Sequence, residues 1–372
     1  MSRLDRYLPV ALFSLCTMGW LKAQEVAPAS GVAASEEAPQ ISELPHARFP
    51  LDVAGYIGFR ALQNDDLGEH NFYREYAGSL FVSKKAGHWL FHSEFNANTA
   101  AEYDTEGIHI VPRYRNLSLT LETASVNYNW RDWLQVEAGF LFVPTYWRTH
   151  RYQSTNLTVD EPLMDQNVFP TAFKGAMLHG DKYFEHGGLS YLIYGGITQE
   201  PEIFKTDVTG LEIDRARAIG GKLVVHVPTG SLLDALDIGY HRLEQRFSDQ
   251  DESLDGAELR LEKGRIQFLG EFAHMSATHS NGQARFFRQG YYLQPSYRIT
   301  RQLFAVVNYD WLNRDSRYAA ESGLGRQSVG LTYRPLTALS LKIEADRYQA
   351  ERGRQPAYYG AAVGAVYFFH LP

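Results

Sequence analysis

His274 and Ser276 stand two residues apart in the stretch EFAHMSATHSNGQ, and His279-Ser280-Asn281-Gly282 follows directly. Side chains two apart on an extended segment share a face. An imidazole so placed could take the proton of the hydroxyl and prepare it to attack an ester carbonyl. Local chain geometry explains the same letters more simply, because Asn-Gly is first of all a turn signal. A second group lies in the long stretch 144–170, where Arg148, His150 and Arg151 precede Asp160, Glu161 and Asp165. Opposed charges of this kind do no covalent chemistry, but across an aqueous passage they filter ions. A third group recurs along the chain: Arg60, Glu94, Glu137, Lys222, Glu258, Arg260, Glu271, Asp310, Lys342 and Glu344 each alternate with apolar neighbours. Thirteen histidines raise a metal site, yet no H-E-x-x-H, H-x-H or carboxylate cluster at ligand spacing occurs, and His92 with Glu94 on one face is too little. YGGI and IGGK are glycine pairs within strands rather than phosphate loops. No cofactor, metal site or catalytic residue is therefore expected.

The elements that must carry these residues are strands. In LRLEKGRIQF, Leu259 and Leu261 alternate with Arg260 and Glu262, then Ile266 and Phe268 flank Gln267 across a turn placed at Lys263-Gly264. Period two on both sides of a two-residue turn is a β-hairpin. Leu339, Leu341, Ile343 and Ala345 repeat the pattern against Ser340, Lys342, Glu344 and Asp346. From Leu51 onward about sixteen such segments follow one another, with few helical periods. In LSLTLETASVNYNW the apolar phase changes from odd to even, which predicts a β-bulge near Glu122 to Ala124. Pro295 inside a strand suggests another. Trp89, Trp130, Trp133 and Trp311 fall near strand ends.

Short connections (84–87, 130–132, 263–264, 300–301, 335–337) take turns with long ones, among them QNDDLGEHNFYRE, TAAEYDTEGIHIVPRYR and residues 144–170, 198–215 and 313–325. Tight turns at one end and loops at the other are the habit of barrels in outer membranes. Hydrocarbon offers a backbone no hydrogen-bond partner, so strands cross it only when every edge is closed on another strand. The fold class expected is therefore all-β, a closed antiparallel transmembrane β-barrel of about 16 strands. A soluble β-sandwich is the competing reading, disfavoured by strand number and length. By parity the lumen receives Glu94, Glu122, Glu137, Glu258, Glu262, Glu271, Asp310, Glu344 and Asp346, together with Arg60, Lys174, Lys222, Arg260, Arg298, Arg334 and Lys342. Nine acids against seven bases give no more than a slight preference for cations. Most of these charges read as a solvated wall or as cross-strand pairs that brace it.

The termini supply a compartment. Met1 to Arg6 is basic, Tyr7 to Leu21 mostly apolar, and LKAQE offers cleavage after Ala23, so residues 1–23 read as a secretory signal peptide. Residues 24–50, rich in Ala, Pro, Ser and Glu, read as a disordered periplasmic leader, and residues 51–372 as the barrel. The single cysteine, Cys16, lies within the signal, which excludes disulfides and thiol catalysis from the processed chain. Loss of residues 1–23 removes three bases and one acid and takes the formal charge from −7 to −9. With no basic run either, nucleic acid is excluded as a partner.

The strand LQVEAGFLFVP leading into TYWRTHRYQSTNLTVDEPLMDQNVFPT, and a last strand that reaches Tyr367, Phe368 and Phe369, resemble Gram-negative outer-membrane porins, in particular the phosphate-selective porin O/P-like superfamily. The chain departs from such porins in adding His370, Leu371 and Pro372 after the terminal aromatics, and it carries no clear basic ladder for phosphate. The resemblance implies a water-filled pore for passive diffusion of small hydrophilic solutes or ions, partnered by outer-membrane lipid and lipopolysaccharide and compatible with a homotrimer. Residues 144–170 would then narrow the pore, with Arg148, His150 and Arg151 facing Asp160, Glu161 and Asp165, or else form an external lid or a subunit contact. Two alternatives stand beside it. The His274/Ser276 stretch is similar to the H-x-S-N-G of outer-membrane phospholipase A, although Asn-Gly does not follow Ser276, which would make the barrel a lipid hydrolase. A barrel could also sheathe a partner protein.

Overall fold

A computed structural model describes residues 51–66, 69–104, 111–149, 156–185, 187–199, 215–227, 232–248, 250–279, 284–314, 323–350 and 357–371. The signal and leader expected over 1–50 lie outside them. The strands are β1 (Asp52–Asp66), β2 (Glu69–Ala86), β3 (Trp89–Asp104), β4 (Val111–Arg131), β5 (Leu134–Phe142), β6 (Ala172–Phe184), β7 (Gly187–Gln199) and β8 (Arg215–His226). They continue as β9 (Ala235–Arg246), β10 (Gln250–Lys263), β11 (Ile266–His279), β12 (Ala284–Arg298), β13 (Leu303–Arg314), β14 (Gly323–Leu336), β15 (Leu339–Ala350) and β16 (Tyr358–Leu371). Two short helices, α1 (Tyr146–Thr149) and α2 (Leu163–Asn167), lie in the connection between β5 and β6.

Each strand pairs antiparallel with its sequence neighbours, and β16 returns to β1 along a seam running from Val53↔Leu371 to Asn64↔Gly360. The sheet is thus a closed sixteen-stranded barrel with no free edge. Among the described residues no helix is long and apolar enough to cross a membrane. Outward positions carry Ile57, Leu80, Ile193, Ile219, Val307, Val329 and Ile343, all exposed, whereas the alternate inward positions bury Glu94, Asp310, Ser328, Lys342 and Glu344. That reversal of the soluble pattern suits a hydrocarbon solvent outside and a polar interior. At the turn end Trp89 packs against Tyr128 with ring centroids 4.6 Å apart, and Trp130, Trp133, Tyr183 and Phe184 are exposed beside them. Such amphipathic rings suit the headgroup level.

The local irregularities separate two expectations. Between β3 and β4, Glu94 pairs with Thr123 and Phe95 with Leu121, which leaves Glu122 as the extra residue of a bulge where the apolar phase changes. Pro295 makes no bulge: β12 pairs with β13 at Leu293↔Tyr309 and resumes at Ser296↔Val306 in unchanged register. A missing donor deletes a ladder bond without requiring an added residue. The hairpin turn is Gly264-Arg265 rather than Lys263-Gly264, since Lys263 pairs with Ile266. Gly264 has φ of 58° and Gly87 of 62°, so each glycine supplies the left-handed first residue of its turn instead of closing it. Two stretches expected as long links are largely strand. β1 and β2 are paired out to Asp66↔Glu69, and β3 and β4 to Asp104↔Val111. Polar residues there can remain extended because the neighbouring strand still accepts their backbone bonds.

Candidate functional site

The connection between β5 and β6 leaves the wall at Phe142 and returns at Ala172, with Val143 N donating to Thr171 O at 3.2 Å to pinch its base. Both of its helices pack against inward-facing side chains. Tyr146 N donates to Glu271 Oε1 of β11 at 3.1 Å, and the Trp147 ring meets Tyr292 of β12 edge-on at 6.2 Å. Thr145 Oγ1 donates to Asp165 Oδ1 at 3.1 Å, tying the outgoing arm to α2. Phe169, 1% exposed, stacks on His241 of β9 with centroids 5.7 Å apart. His241 Nε2 in turn lies 2.7 Å from the Tyr194 hydroxyl of β7.

These contacts belong to a hydrophobic core inside the barrel. Trp147, Met164, Val168 and Phe169 of the loop bury against inward Leu243, Leu254, Met275 and Leu312 of the wall. A wholly polar lumen is therefore not what the chain builds. Where the loop docks, the inner face turns apolar, because burial of side chains against one another stabilises the contact and polar groups there would lose their water.

The far end of the loop is fastened by polar contacts. Asp160 accepts from Arg60 Nη1 at 3.1 Å and from Arg326 Nη1 at 3.2 Å, bridging β1 and β14. Arg326, 1% exposed, also donates Nε to Asp310 Oδ2 at 2.7 Å and Nη2 to Glu161 O at 2.6 Å. Arg60 is shared with Glu75 of β2, which Asn98 of β3 also contacts. Thr332 donates to Leu157 O at 2.6 Å, Lys342 to Thr158 O at 3.0 Å, and Val159 N to Glu344 Oε2 at 2.7 Å. Buried charges are tolerable when each meets an opposite charge or a backbone dipole, and this cluster supplies both.

Elsewhere on the wall, Lys222 Nζ lies 2.7 Å from Glu258, and Arg260 reaches Glu262 at 2.7 Å and Asp237 at 3.6 Å. Glu137 lies 3.8 Å from His179, with Asn127 Nδ2 donating to Gln135 Oε1 at 3.0 Å nearby. Arg298 donates to Gly264 O at 3.1 Å at the turn end. Every charge expected inward follows its strand's inner parity except two. Glu122 is displaced into the bulge and hydrogen-bonds Thr120 at 3.2 Å. Lys174 points outward over the Phe140 ring at 5.9 Å, because β6 buries Phe173 on the inner side.

The expected pairing of the loop acids with Arg148, His150 and Arg151 lies outside the described residues; the described contacts of the acids are to the wall and within the loop. Asp160 and the Glu161 carbonyl go to wall arginines, and Asp165 to Thr145. Arg148 belongs to α1, with its side chain outside the described residues, as are His150 and Arg151. Residues that sequence reasoning missed are the apolar anchors Met164 and Phe169 and their wall partners. Their signal was present in β10, where Leu254 is even-numbered while Leu259 and Leu261 are odd.

His274 and Ser276 both face outward on β11, opposite Asp255 and Ser253 of β10. His274 Nδ1 lies 3.2 Å from Gln289 Oε1, and no hydrogen bond joins the imidazole to Ser276. Among the described residues no group of three His, Cys, Asp or Glu could hold a metal ion.

No protein-family model and no curated protein sequence matches the chain. Solved structures do. An anion-selective porin from Comamonas acidovorans superposes with a TM-score of 0.60 at 12% identity, covering 86% of this chain and 99% of that one. OprB of Pseudomonas putida gives 0.60 at 7% identity over 86% and 94%. The outer membrane channel DcaP of Acinetobacter baumannii gives 0.54 at 10% over 86% and 97%. What is shared is the architecture of Gram-negative outer-membrane barrels, over nearly the full length of each.

Proposed function

We propose that the chain is an outer-membrane porin, a passive diffusion channel for small hydrophilic solutes or ions, whose passage residues 144–170 narrow. The observation that carries this reading is the two-sided fastening of the loop inside a closed barrel, by an apolar core on β9 to β13 and by Asp160 between Arg60 and Arg326 on the other side. Arg60, Glu137, Lys222, Glu258 and Arg260 then line the conduction path, whereas Glu94, Glu271, Asp310, Lys342 and Glu344, expected there as well, are buried, the last four in or beside the loop's attachments. In this reading residues 1–23 are a cleaved signal, 24–50 a periplasmic leader, and lipid with lipopolysaccharide the surroundings of the outer wall. A homotrimer fits it, and LQVEAGFLFVP with the terminal aromatics sets the chain beside the phosphate-selective porin O/P-like group.

Purified protein in a planar bilayer tests the reading: stepwise conductance is expected. Silence there, with phospholipid hydrolysis abolished by Ser276→Ala, would establish the hydrolase instead, and silence with a co-purifying plug protein the sheath.

A further inference from the structure

Ser190 of β7, His226 of β8 and Asp237 of β9 are separated by 36 and 11 residues in sequence and meet on the inner face of the wall, at its turn end. The Ser190 hydroxyl lies 2.7 Å from His226 Nε2, and His226 Nδ1 lies 2.6 Å from Asp237 Oδ1. A carboxylate only accepts, so Nδ1 carries the ring proton and Nε2 turns its lone pair toward the serine. Arg260 Nη1, 3.6 Å from Asp237 Oδ2, holds the carboxylate from its other side. His226 is paired across the ladders with Asp237 and with Gly188. That glycine leaves room for the imidazole, since a Cβ there would fall 2.6 Å from the Tyr183 ring and 3.2 Å from the His226 ring.

Hydroxyl, imidazole and carboxylate in this order are the parts of an activated nucleophile, which is recognised by geometry rather than by sequence position. The His226 and Asp237 side chains are 25% and 19% exposed, so the group opens on the lumen instead of being sealed in the wall.

We propose that Ser190, His226 and Asp237 form an esterolytic triad at the turn-end mouth of the lumen, acting on small water-soluble esters. Ser190 Oγ attacks the carbonyl carbon as its proton passes to His226 Nε2, and the carbonyl π pair moves to oxygen. Collapse breaks the bond from that carbon to the alkoxy oxygen, and the leaving alcohol takes the proton from Nε2. Water then attacks the acyl-serine by the same proton route, releasing the carboxylic acid and restoring the hydroxyl. Ester and water thus give acid and alcohol. Backbone N–H groups beside Ser190 are held in the ladders, where it pairs with Asp181 and Val224. Water therefore meets the oxyanion in place of fixed donors, and the lack of even one such donor costs about 10²–10³ in rate. The substrates are accordingly esters with stable leaving groups, such as aryl esters.

The full-length protein, folded in detergent micelles, is given 4-nitrophenyl acetate and, separately, a fluorophosphonate that labels activated serines. The wild type is expected to release nitrophenolate about 10²-fold faster than Ser190→Ala or His226→Gln, the lower end of what a positioned base contributes. Asp237→Asn, which removes the carboxylate that fixes the ring tautomer, is expected to fall with them. Ser253→Ala, outward on β10, keeps the wild-type rate. Peptide mass spectrometry is expected to find the phosphonate on Ser190. Equal rates in the wild type and Ser190→Ala, or a wild type without label on Ser190, overturn the proposal. Heat-modifiable mobility identifies any variant that does not fold, and the labelled position in the wild type then decides. Conductance is read separately: current without hydrolysis refutes the triad alone, and hydrolysis without current refutes the channel reading alone.

Discussion

Arg326 of β14 and Asp160 of the inward loop are 166 residues apart in sequence and 3.2 Å apart in space. The same guanidinium holds Asp310, its cross-strand partner, so one buried side chain joins two strands and the loop. Asp160 completes the arrangement by also accepting from Arg60. The loop is thus latched at its tip as well as at its root.

Asp160→Ala removes both contacts of its carboxylate and leaves Arg326 with Asp310 and the Glu161 carbonyl, and Arg60 with Glu75. Hydrogen bonds to charged groups contribute about 1.5–3 kcal/mol, so the tip is expected to come away from the wall for part of the time. Single-channel recordings should show larger and noisier openings; steps as uniform as those of the wild type would refute the latch.

Phe169→Ala attacks the other attachment. Truncating a buried phenylalanine costs about 3–5 kcal/mol, and the loss falls on the loop's docking rather than on the barrel ladders. Limited proteolysis should then cut within residues 144–170 while the barrel keeps its compact gel mobility. Resistance equal to the wild type would mean that the ring contributes little.

Val329→Arg tests the outer wall. Val329 is 63% exposed at the middle of β14, and an arginine facing mid-bilayer costs about 2–4 kcal/mol. Folding into phospholipid vesicles, followed by heat-modifiable mobility, should shift to lower denaturant. An unshifted midpoint would place this residue away from hydrocarbon.

Ser276→Ala decides the role of the outward His274. The variant is expected to conduct as the wild type does, and neither protein to release fatty acid from phospholipid micelles. Hydrolysis by the wild type, lost in the variant, would assign Ser276 and His274, with Gln289 behind the imidazole, to catalysis.

Much of the wall was legible because period two reports directly which face a residue takes, as Leu339 to Asp346 illustrates. The bulge at Glu122 was legible for the same reason, since a change of phase has few other causes. The Gly264-Arg265 turn was read one residue early because strand character runs up to the glycine, and only backbone geometry says which turn position it fills. Lys174 was misplaced because parity on β6 depends on Phe173 facing the loop. The apolar interior around Leu243 and Leu254 was hidden by the assumption that an inner face meets only water. A loop that folds inward gives that face a second partner, and the partner is remote in sequence.

The seam between Val53 and Leu371 governs how the molecule is made. The first strand waits for the last residues before its second edge is satisfied, so no partly synthesised chain can form a finished wall. Loss of β16 would therefore leave a slot in the lipid-facing surface rather than a smaller pore.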